Sequence, residues 1–271
     1  MAGDLDRRRL LQAGGLMSLA AVVGACTGGA PATSSRPAGT SPAPAPSSSA
    51  PATPPPAPPP TASPVDLLAQ SSTCRLTHET IAGPTWFDAQ AVRSDVRDGR
   101  EGTPLDLAFR VVQLPACAPV AQAVVDLWQC DAGGVYSGFA HVAPGDGGTV
   151  DARDRYGDAE ASPTDADRWL RGTQVTGLDG VVQFGTIYPG WYPTRTVHLH
   201  LKVHLDEKTV LTTQLFFDDA VSDQVHTAQP YAAHAGRDTR NARDAFYSPT
   251  ALMTLAPDGA RWLGAISLGV P

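Results

Sequence analysis

The order of hydrophobic and polar positions separates the chain into two parts near Val65. Beyond this point, short apolar runs alternate with turn signals such as Gly177-Leu178-Asp179-Gly180. Runs of this length and spacing are typical of strands in a β-sandwich or barrel. They lie at residues 105–112, 123–130, 181–184, 196–203 and 212–217. Helical periodicity is weak, with short helices expected only at residues 165–171 and 240–245. We therefore expect residues 65–271 to form an all-β sandwich domain with few short helices and long loops.

The N-terminal residues 1–25 have the pattern of an export signal. Residues 6–12 include Arg7, Arg8 and Arg9 and resemble a twin-arginine signal, followed by an apolar run too short to span a bilayer permanently. That run ends in Val23-Gly24-Ala25-Cys26, which resembles a bacterial lipobox. The pattern predicts cleavage before Cys26 and lipidation of its sulfur. A plain secretory signal and a retained membrane anchor are the alternatives.

Residues 26–64 are predicted to be the lipidated cysteine and a disordered tether. From Thr27 to Pro64 the chain contains thirteen of its 25 prolines and one charged residue, Arg36. Such a segment has too few large apolar side chains to form a core, and its prolines favour an extended spacer. The N-terminal pattern therefore predicts an exported protein, anchored by lipid to the outer face of the cell membrane.

Charge and cysteine content limit the possible partners and disulfides. The net charge is −7, and an acidic domain without a basic stripe argues against nucleic-acid binding. Besides Cys26 the chain has Cys74, Cys117 and Cys130, so one disulfide and one free thiol are expected outside the cytoplasm. Cys117 and Cys130 should lie near opposite ends of an extended stretch, too far apart for a bridge. Cys74 is then expected to pair with one of them, and the sequence does not decide which.

A pair of histidines is the first indication of a possible metal site. His198 and His200 belong to the alternating run 197–203, and positions i and i+2 of a strand share a face. Two imidazoles side by side form half of a metal site that suits zinc, copper, iron or nickel. The alternative is a surface pair that binds no metal.

Three stretches together resemble the intradiol ring-cleavage dioxygenases, the family of catechol 1,2-dioxygenase and protocatechuate 3,4-dioxygenase. They are residues 125–137, residues 171–174 followed by 184–200, and residues 212–217. The block from Thr186 to His200, with its order Tyr-Pro-Gly-Trp-Tyr and then Arg-Thr-Val-His-Leu-His, is the most specific. The resemblance extends over about residues 74–247.

The resemblance implies a set of roles. Tyr136, Tyr192, His198 and His200 match the family's Fe(III) ligands, while Arg195 and Gln214 match residues that line the substrate pocket. The implied activity is cleavage of a catechol ring, in which both atoms of O2 enter a cis,cis-muconate-type diacid. Phenolates suit Fe(III) because they are anionic oxygen donors. The unperturbed pKa of a tyrosine phenol is about 10, so the metal must stabilise the phenolate form at neutral pH.

Residues 79–87, which we term the entry segment, depart from the family pattern. Ala82 replaces the usual glutamate, and Thr85 stands where an aromatic residue is expected. The substrate, the oligomeric state and the pathway are therefore left open. Two other functions remain as hypotheses: an Fe(II) or zinc enzyme that adds a carboxylate such as Asp126 to the histidine pair, and a lipid-anchored sandwich that binds a ligand or partner without catalysis.

Overall fold

The computed structural model describes residues 62–71 and 74–271. The expected signal peptide, the lipidated Cys26 and all but the end of the tether lie outside these residues. The described strands are β1 (Pro104–Gln113), β2 (Ala118–Pro119), β3 (Val124–Trp128), β4 (Val150–Arg153), β5 (Ala159–Ala161), β6 (Arg171–Val175), β7 (Val181–Ile187), β8 (His198–Leu205), β9 (Lys208–Phe216), β10 (Thr254–Asp258) and β11 (Arg261–Val270). The one described α-helix is α1 (Asp219–Val225), and short 3-10 helices span Pro64–Ala69, Tyr231–His234, Asn241–Arg243 and Pro249–Ala251. The predicted all-β class is confirmed.

The strands form two main sheets. In the first sheet, β1 lies between β11, its parallel partner, and β7, its antiparallel partner, with β2 and β10 at the margins. The second sheet is antiparallel, in the order β6-β3-β8-β9. β4 and β5 form a separate hairpin. One hydrophobic core joins the two sheets, with members such as Phe109 of β1, Leu127 of β3 and Leu201 of β8.

Strand β8 is buried along almost its whole length, on both faces. Leu199, Leu201 and Val203 belong to the core between the sheets. Because successive side chains alternate, His198 and His200 lie on the other face of β8. Loops cover that second face, and an aromatic cluster containing Trp86, Phe87, Trp128, Tyr136, Phe139 and Tyr192 fills it.

One cross-strand row runs over the second sheet and fixes the positions of several polar side chains. Trp128 of β3 lies opposite Arg171 of β6 on one side and opposite His200 of β8 on the other. His200 in turn lies opposite Gln214 of β9. Directly opposed residues of antiparallel strands share a face, so these four side chains lie together on the loop-covered face.

The helix predictions were only partly right. Residues 165–171 form no helix, because the end of this segment joins the second sheet: Leu170 N donates to Val96 O at 2.7 Å, and Arg171 pairs with Trp128 of β3. Leu170 is left-handed, with φ 55°, and Arg171 already begins β6. The expected helix at 240–245 is reduced to the 3-10 turn Asn241–Arg243. Helix α1 was not expected, although Asp218 caps it by accepting hydrogen bonds from two backbone amides.

The cysteine alternatives resolve in favour of Cys117. Cys74 and Cys117 form a disulfide, with their Cα atoms 5.3 Å apart. Cys130 is a buried free thiol. In the part of the chain described, no helix combines the length and apolar character needed to cross a bilayer.

Candidate metal centre

Four side chains converge on one point of the loop-covered face. Tyr136 Oη lies 3.0 Å from His200 Nε2, and Tyr192 Oη lies 3.1 Å from His198 Nε2. The two Nε2 atoms are 3.2 Å apart, and the two phenol oxygens are 3.4 Å apart. All four side chains are buried. The residues that the resemblance singled out therefore form a single cluster.

The histidines come from β8, and each tyrosine comes from a loop. Tyr192 lies between β7 and β8 in a tight turn, where its carbonyl accepts a hydrogen bond from Arg195 N and Thr194 has φ 72°. Tyr136 lies in the loop after β3. This loop approaches the Tyr192 loop so closely that a Cβ at Gly134 would be 2.3 Å from Trp191 O. Glycine is required at position 134 by this contact and by its φ of +84°.

Both imidazoles have the protonation state that metal binding needs. His198 Nδ1 lies 2.7 Å from Thr196 O, and since a carbonyl can only accept, Nδ1 carries the proton and Nε2 is bare. Burial lowers the pKa of His198 to about 3, with the nearby Arg195 acting in the same direction. Burial, with the neighbouring His198, also holds the pKa of His200 well below its usual range. Both rings are therefore neutral at physiological pH.

The phenols are held in their neutral form in the absence of a cation. Burial raises the pKa of Tyr192 to about 12, although Arg195 opposes the change. Burial, followed by the presence of Tyr192, raises the pKa of Tyr136 well above its usual range. A bound metal ion would invert this preference, because its charge stabilises phenolate in a water-excluded site.

The spacing of the four donors fits a first-row metal ion. Nitrogen and oxygen ligands bond such metals at about 2.0–2.2 Å, so two ligands separated by 90° to 110° are about 2.8–3.6 Å apart. The measured separations of 3.0 to 3.4 Å fall within this range. His198 Nε2 is bare, so its lone pair is available to a cation at the centre of the cluster.

Arg195 and Gln214 lie beside this cluster, as expected. Arg195 Nη2 contacts Gln214 Oε1, and Gln214 Nε2 donates to Ile81 O at 3.2 Å. The Arg195 guanidinium also stands over the Phe246 ring, 4.7 Å from its centroid. The entry segment that contains Ile81 therefore borders the site.

Asp244 is a member of the site that the sequence gave no reason to expect. Its buried carboxylate accepts hydrogen bonds from Arg195 Nε and from Thr196 N, each at 2.8 Å, and from Phe246 N at 2.9 Å. Burial alone would raise the pKa of Asp244, but these hydrogen bonds outweigh it and lower the pKa. The aspartate lies 49 residues after Arg195 in a loop without a recognisable motif, so only the fold reveals the pairing.

Asp126 does not join the histidine pair as the carboxylate hypothesis required. Its Oδ2 lies 2.9 Å from His204 Nε2, and its Oδ1 accepts a hydrogen bond from Thr173. Within residues 62–71 and 74–271, no group of three or more His, Cys, Asp or Glu side chains is arranged to hold a metal ion. His204, near the end of β8, is buried together with Asp126. The candidate centre therefore depends on its tyrosines.

Comparison with known proteins agrees with this geometry. A family model described as Dioxygenase (Dioxygenase_C) matches residues 81–244. The chain belongs to the intradiol ring-cleavage dioxygenases. Enzymes of this family are oxidoreductases that generally use non-haem iron. The resemblance noted in the sequence is thereby confirmed.

Solved structures extend this result. An intradiol ring-cleavage dioxygenase from Tetranychus urticae is 30% identical, with a TM-score of 0.64, over 73% of this chain and 95% of that chain. The dioxygenase domain of a dioxygenase–carbohydrate-binding protein fusion from Streptomyces sp. SirexAA-E is 27% identical, with a TM-score of 0.52, over 72% of this chain and 97% of that domain. A search of curated protein sequences found no match.

The ring of Tyr192 rests against Gly145. A Cβ at Gly145 would lie 2.1 Å from Cδ2 and 2.6 Å from Cε2 of Tyr192, and the glycine has φ +82°. Gly157 has nearly the same backbone conformation, with φ +85°, but no heavy atom lies within 4 Å of a Cβ built there. The pair separates the cost of a left-handed backbone from the cost of crowding Tyr192.

We expect Gly145→Ala to destabilise the metal-free protein more than Gly157→Ala does. The two variants share the backbone penalty, and crowding of Tyr192 adds about 1–3 kcal/mol to the first. Urea unfolding of both variants and the wild type measures the difference. Equal losses of stability would mean that Tyr192 can move away from Gly145 without cost.

Proposed function

We propose that this protein is a non-haem Fe(III) dioxygenase that cleaves a catechol-type ring with O2 to a cis,cis-muconate-type diacid. The observation that carries the proposal is the convergence of two phenols and two neutral imidazoles, with donor atoms 3.0 to 3.4 Å apart, beside Arg195. The chemistry that bound iron supplies is activation of a chelated catechol toward O2.

The donor set favours a trivalent metal. Tyr136 and Tyr192 would both bind as phenolates, which add two negative charges to a buried site. A trivalent ion offsets these charges and leaves one more for hydroxide or substrate. His198 and His200 are neutral ligands that suit iron. Replacement of either tyrosine by a neutral residue would leave this charge balance incomplete.

Tyr192 is proposed to take a proton from the substrate. Away from a cation, burial raises the pKa of this phenol to about 12, so its phenolate is a strong base. Tyr192 would hold the metal as a phenolate, and its oxygen, once freed, would accept a proton from a catechol hydroxyl. Metal binding and substrate deprotonation would then share one protein atom, Tyr192 Oη.

Arg195 is proposed to stabilise negative charge on the catechol ring. Its guanidinium is a planar cation whose position is fixed from two sides by Asp244 and Gln214. A cation already oriented before the reaction stabilises developing charge without reorganisation.

The first experiment asks whether iron gives the protein its colour and activity. We expect the iron-loaded protein to show the broad visible charge-transfer band of tyrosinate–Fe(III). We expect both atoms of 18O2 in the diacid product. His198→Ala and Tyr192→Phe should abolish turnover, and Tyr192→Phe should also weaken and shift the band, because one of two phenolates is lost. Tyr156→Phe, at a half-buried tyrosine that stacks on His204, should keep both band and turnover.

A colourless wild type at full iron occupancy would contradict the Fe(III) proposal and leave the Fe(II), zinc and non-catalytic hypotheses. A panel that runs from catechol to 3,4-dihydroxybenzoate and bulkier lignin fragments identifies the substrate of an active protein.

A second experiment tests the support of Arg195. Asp244→Asn keeps the shape of the side chain but removes the charge that Arg195 Nε contacts at 2.8 Å. Loss of a hydrogen bond between charged groups costs about 1.5–3 kcal/mol, so kcat/KM should fall roughly 10- to 100-fold. The visible band should persist, because Asp244 touches none of the four donor atoms. Asp106→Asn, which removes one of the two carboxylates that contact Arg261 in the first sheet, is the control. Similar losses in both variants would refute a role in orienting Arg195.

We also propose that the enzyme is exported by the twin-arginine route and held by a lipid on Cys26 at the outer face of the cell membrane. The N-terminal pattern supports this, as does the Cys74–Cys117 disulfide, since disulfides persist mainly in oxidising compartments. Residues 27–64 would then act as a spacer with a reach of at most about 120 Å.

Fractionation of cells tests the anchor. Wild-type protein should partition with membranes, and its mature N-terminal peptide should carry the mass of a lipid on Cys26. Cys26→Ser should lose that mass and leave the membrane fraction if its signal is still removed. Joint replacement of Arg7 and Arg8 by lysine should retain the protein in the cytoplasm. A Cys26→Ser protein that stays membrane-bound at the wild-type mature mass would contradict lipidation.

A further inference from the structure

The two histidines of the candidate centre are held in different ways. His198 Nδ1 donates to Thr196 O at 2.7 Å, which fixes the plane of that ring. His200 Nδ1 is buried, and in the described part of the chain it has no hydrogen-bond partner. Metal-binding histidines usually owe their orientation to a bond at the second ring nitrogen. Another contact must therefore fix the plane of the His200 ring.

Trp128 provides that contact. Its indole stacks on the His200 ring, with the centroids 4.7 Å apart and the planes inclined by 13°. The two residues lie opposite each other on β3 and β8, so the backbone register brings the rings face to face. Tyr136 meets the same imidazole edge-on, with its plane inclined by 65°. The rotation of the His200 ring is therefore limited by the position of the indole.

The indole is in turn held by the entry segment. Trp128 Nε1 donates to Thr85 Oγ1 at 3.3 Å, and both residues are buried. Within the described part of the chain, the indole N–H donates to no acceptor other than this hydroxyl. The Trp86 ring packs against the same indole, with centroids 4.6 Å apart. A buried N–H that lost its acceptor would favour a shift of the indole, since an unsatisfied donor costs about 1–3 kcal/mol.

We propose that Thr85 is a positioning residue that acts through Trp128 to fix the His200 ring at the metal. The inference rests on the proposed function, in which His200 binds iron. Thr85 stands where the family pattern led us to expect an aromatic residue, and here it supplies a hydroxyl instead. A departure from the family pattern thus becomes part of the support of the metal centre.

Two substitutions at one position test the role of the hydroxyl. Thr85→Val keeps the size of the side chain but removes the acceptor, whereas Thr85→Ser keeps the acceptor. In the iron-loaded full chain, we expect Thr85→Val to shift or weaken the charge-transfer band and to speed iron release to a chelator about 10-fold or more. Thr85→Ser should stay within about twofold of the wild type in release rate.

A matched control separates this effect from a general loss of stability. Thr176 is also buried, donates to Val120 O at 2.7 Å and accepts a hydrogen bond from Ala123 N at 2.9 Å, but it lies outside the site. Thr176→Val removes a buried hydroxyl with at least as many partners and should leave the band and the release rate unchanged. Equal acceleration in Thr85→Val and Thr176→Val would overturn the proposal, as would equal effects of Thr85→Val and Thr85→Ser.

A double-mutant comparison with Trp128→Phe is a second test, and it does not depend on the single variant Thr85→Val. Phenylalanine keeps an aromatic face toward His200 but has no N–H to satisfy. In this background, Thr85→Val should add no further change to the band or to iron release, because the two changes act on one contact. Additive effects would overturn the proposal. A wild type that binds iron without colour would instead refute the proposed function, so the two failures are distinguishable.

Discussion

Burial of both faces of β8 is the constraint on which the site depends. On one face, Leu199, Leu201 and Val203 pack into the core between the sheets. The strict alternation of a strand then directs His198 and His200 to the other face, where loops cover them. Because the apolar face locks the register, the two imidazoles cannot slip away from their neighbours on β3 and β9. The hydrophobic core thereby fixes the spacing of a polar cluster that it does not contain.

Burial on the loop-covered face makes an unpaired charge costly. Both phenols and both imidazoles are held in their neutral forms, so the cluster carries no net charge without a cation. The permanent cation nearby, Arg195, has its own buried carboxylate in Asp244. A metal ion can therefore enter a preorganised set of donors whose main cost of binding is the loss of two phenol protons.

The sequence predicted the parts of this arrangement that follow from local pattern. The strands around His198 and Gln214 were recognisable from alternation, and the family motif supplied Tyr136 and Tyr192. Contacts between distant segments were not predictable in this way. Asp244 meets Arg195 only because the loop after α1 returns across the end of β8, and no pattern near Asp244 announces this. The helix predicted at 165–171 is absent because Leu170 and Arg171 bond to distant residues, Val96 and Trp128, and periodicity carries no information about such contacts.

The two histidines of the cluster are oriented by different segments of the chain. His198 is oriented by a carbonyl of its own segment, two residues away, so its support comes with the motif. His200 depends on Trp128, and Trp128 contacts Thr85 in an entry segment that differs from the family pattern. The same segment reaches Gln214 through Ile81 O. A change in residues 79–87 would therefore reach the candidate site from two directions, through Trp128 to His200 and through Ile81 O to Gln214.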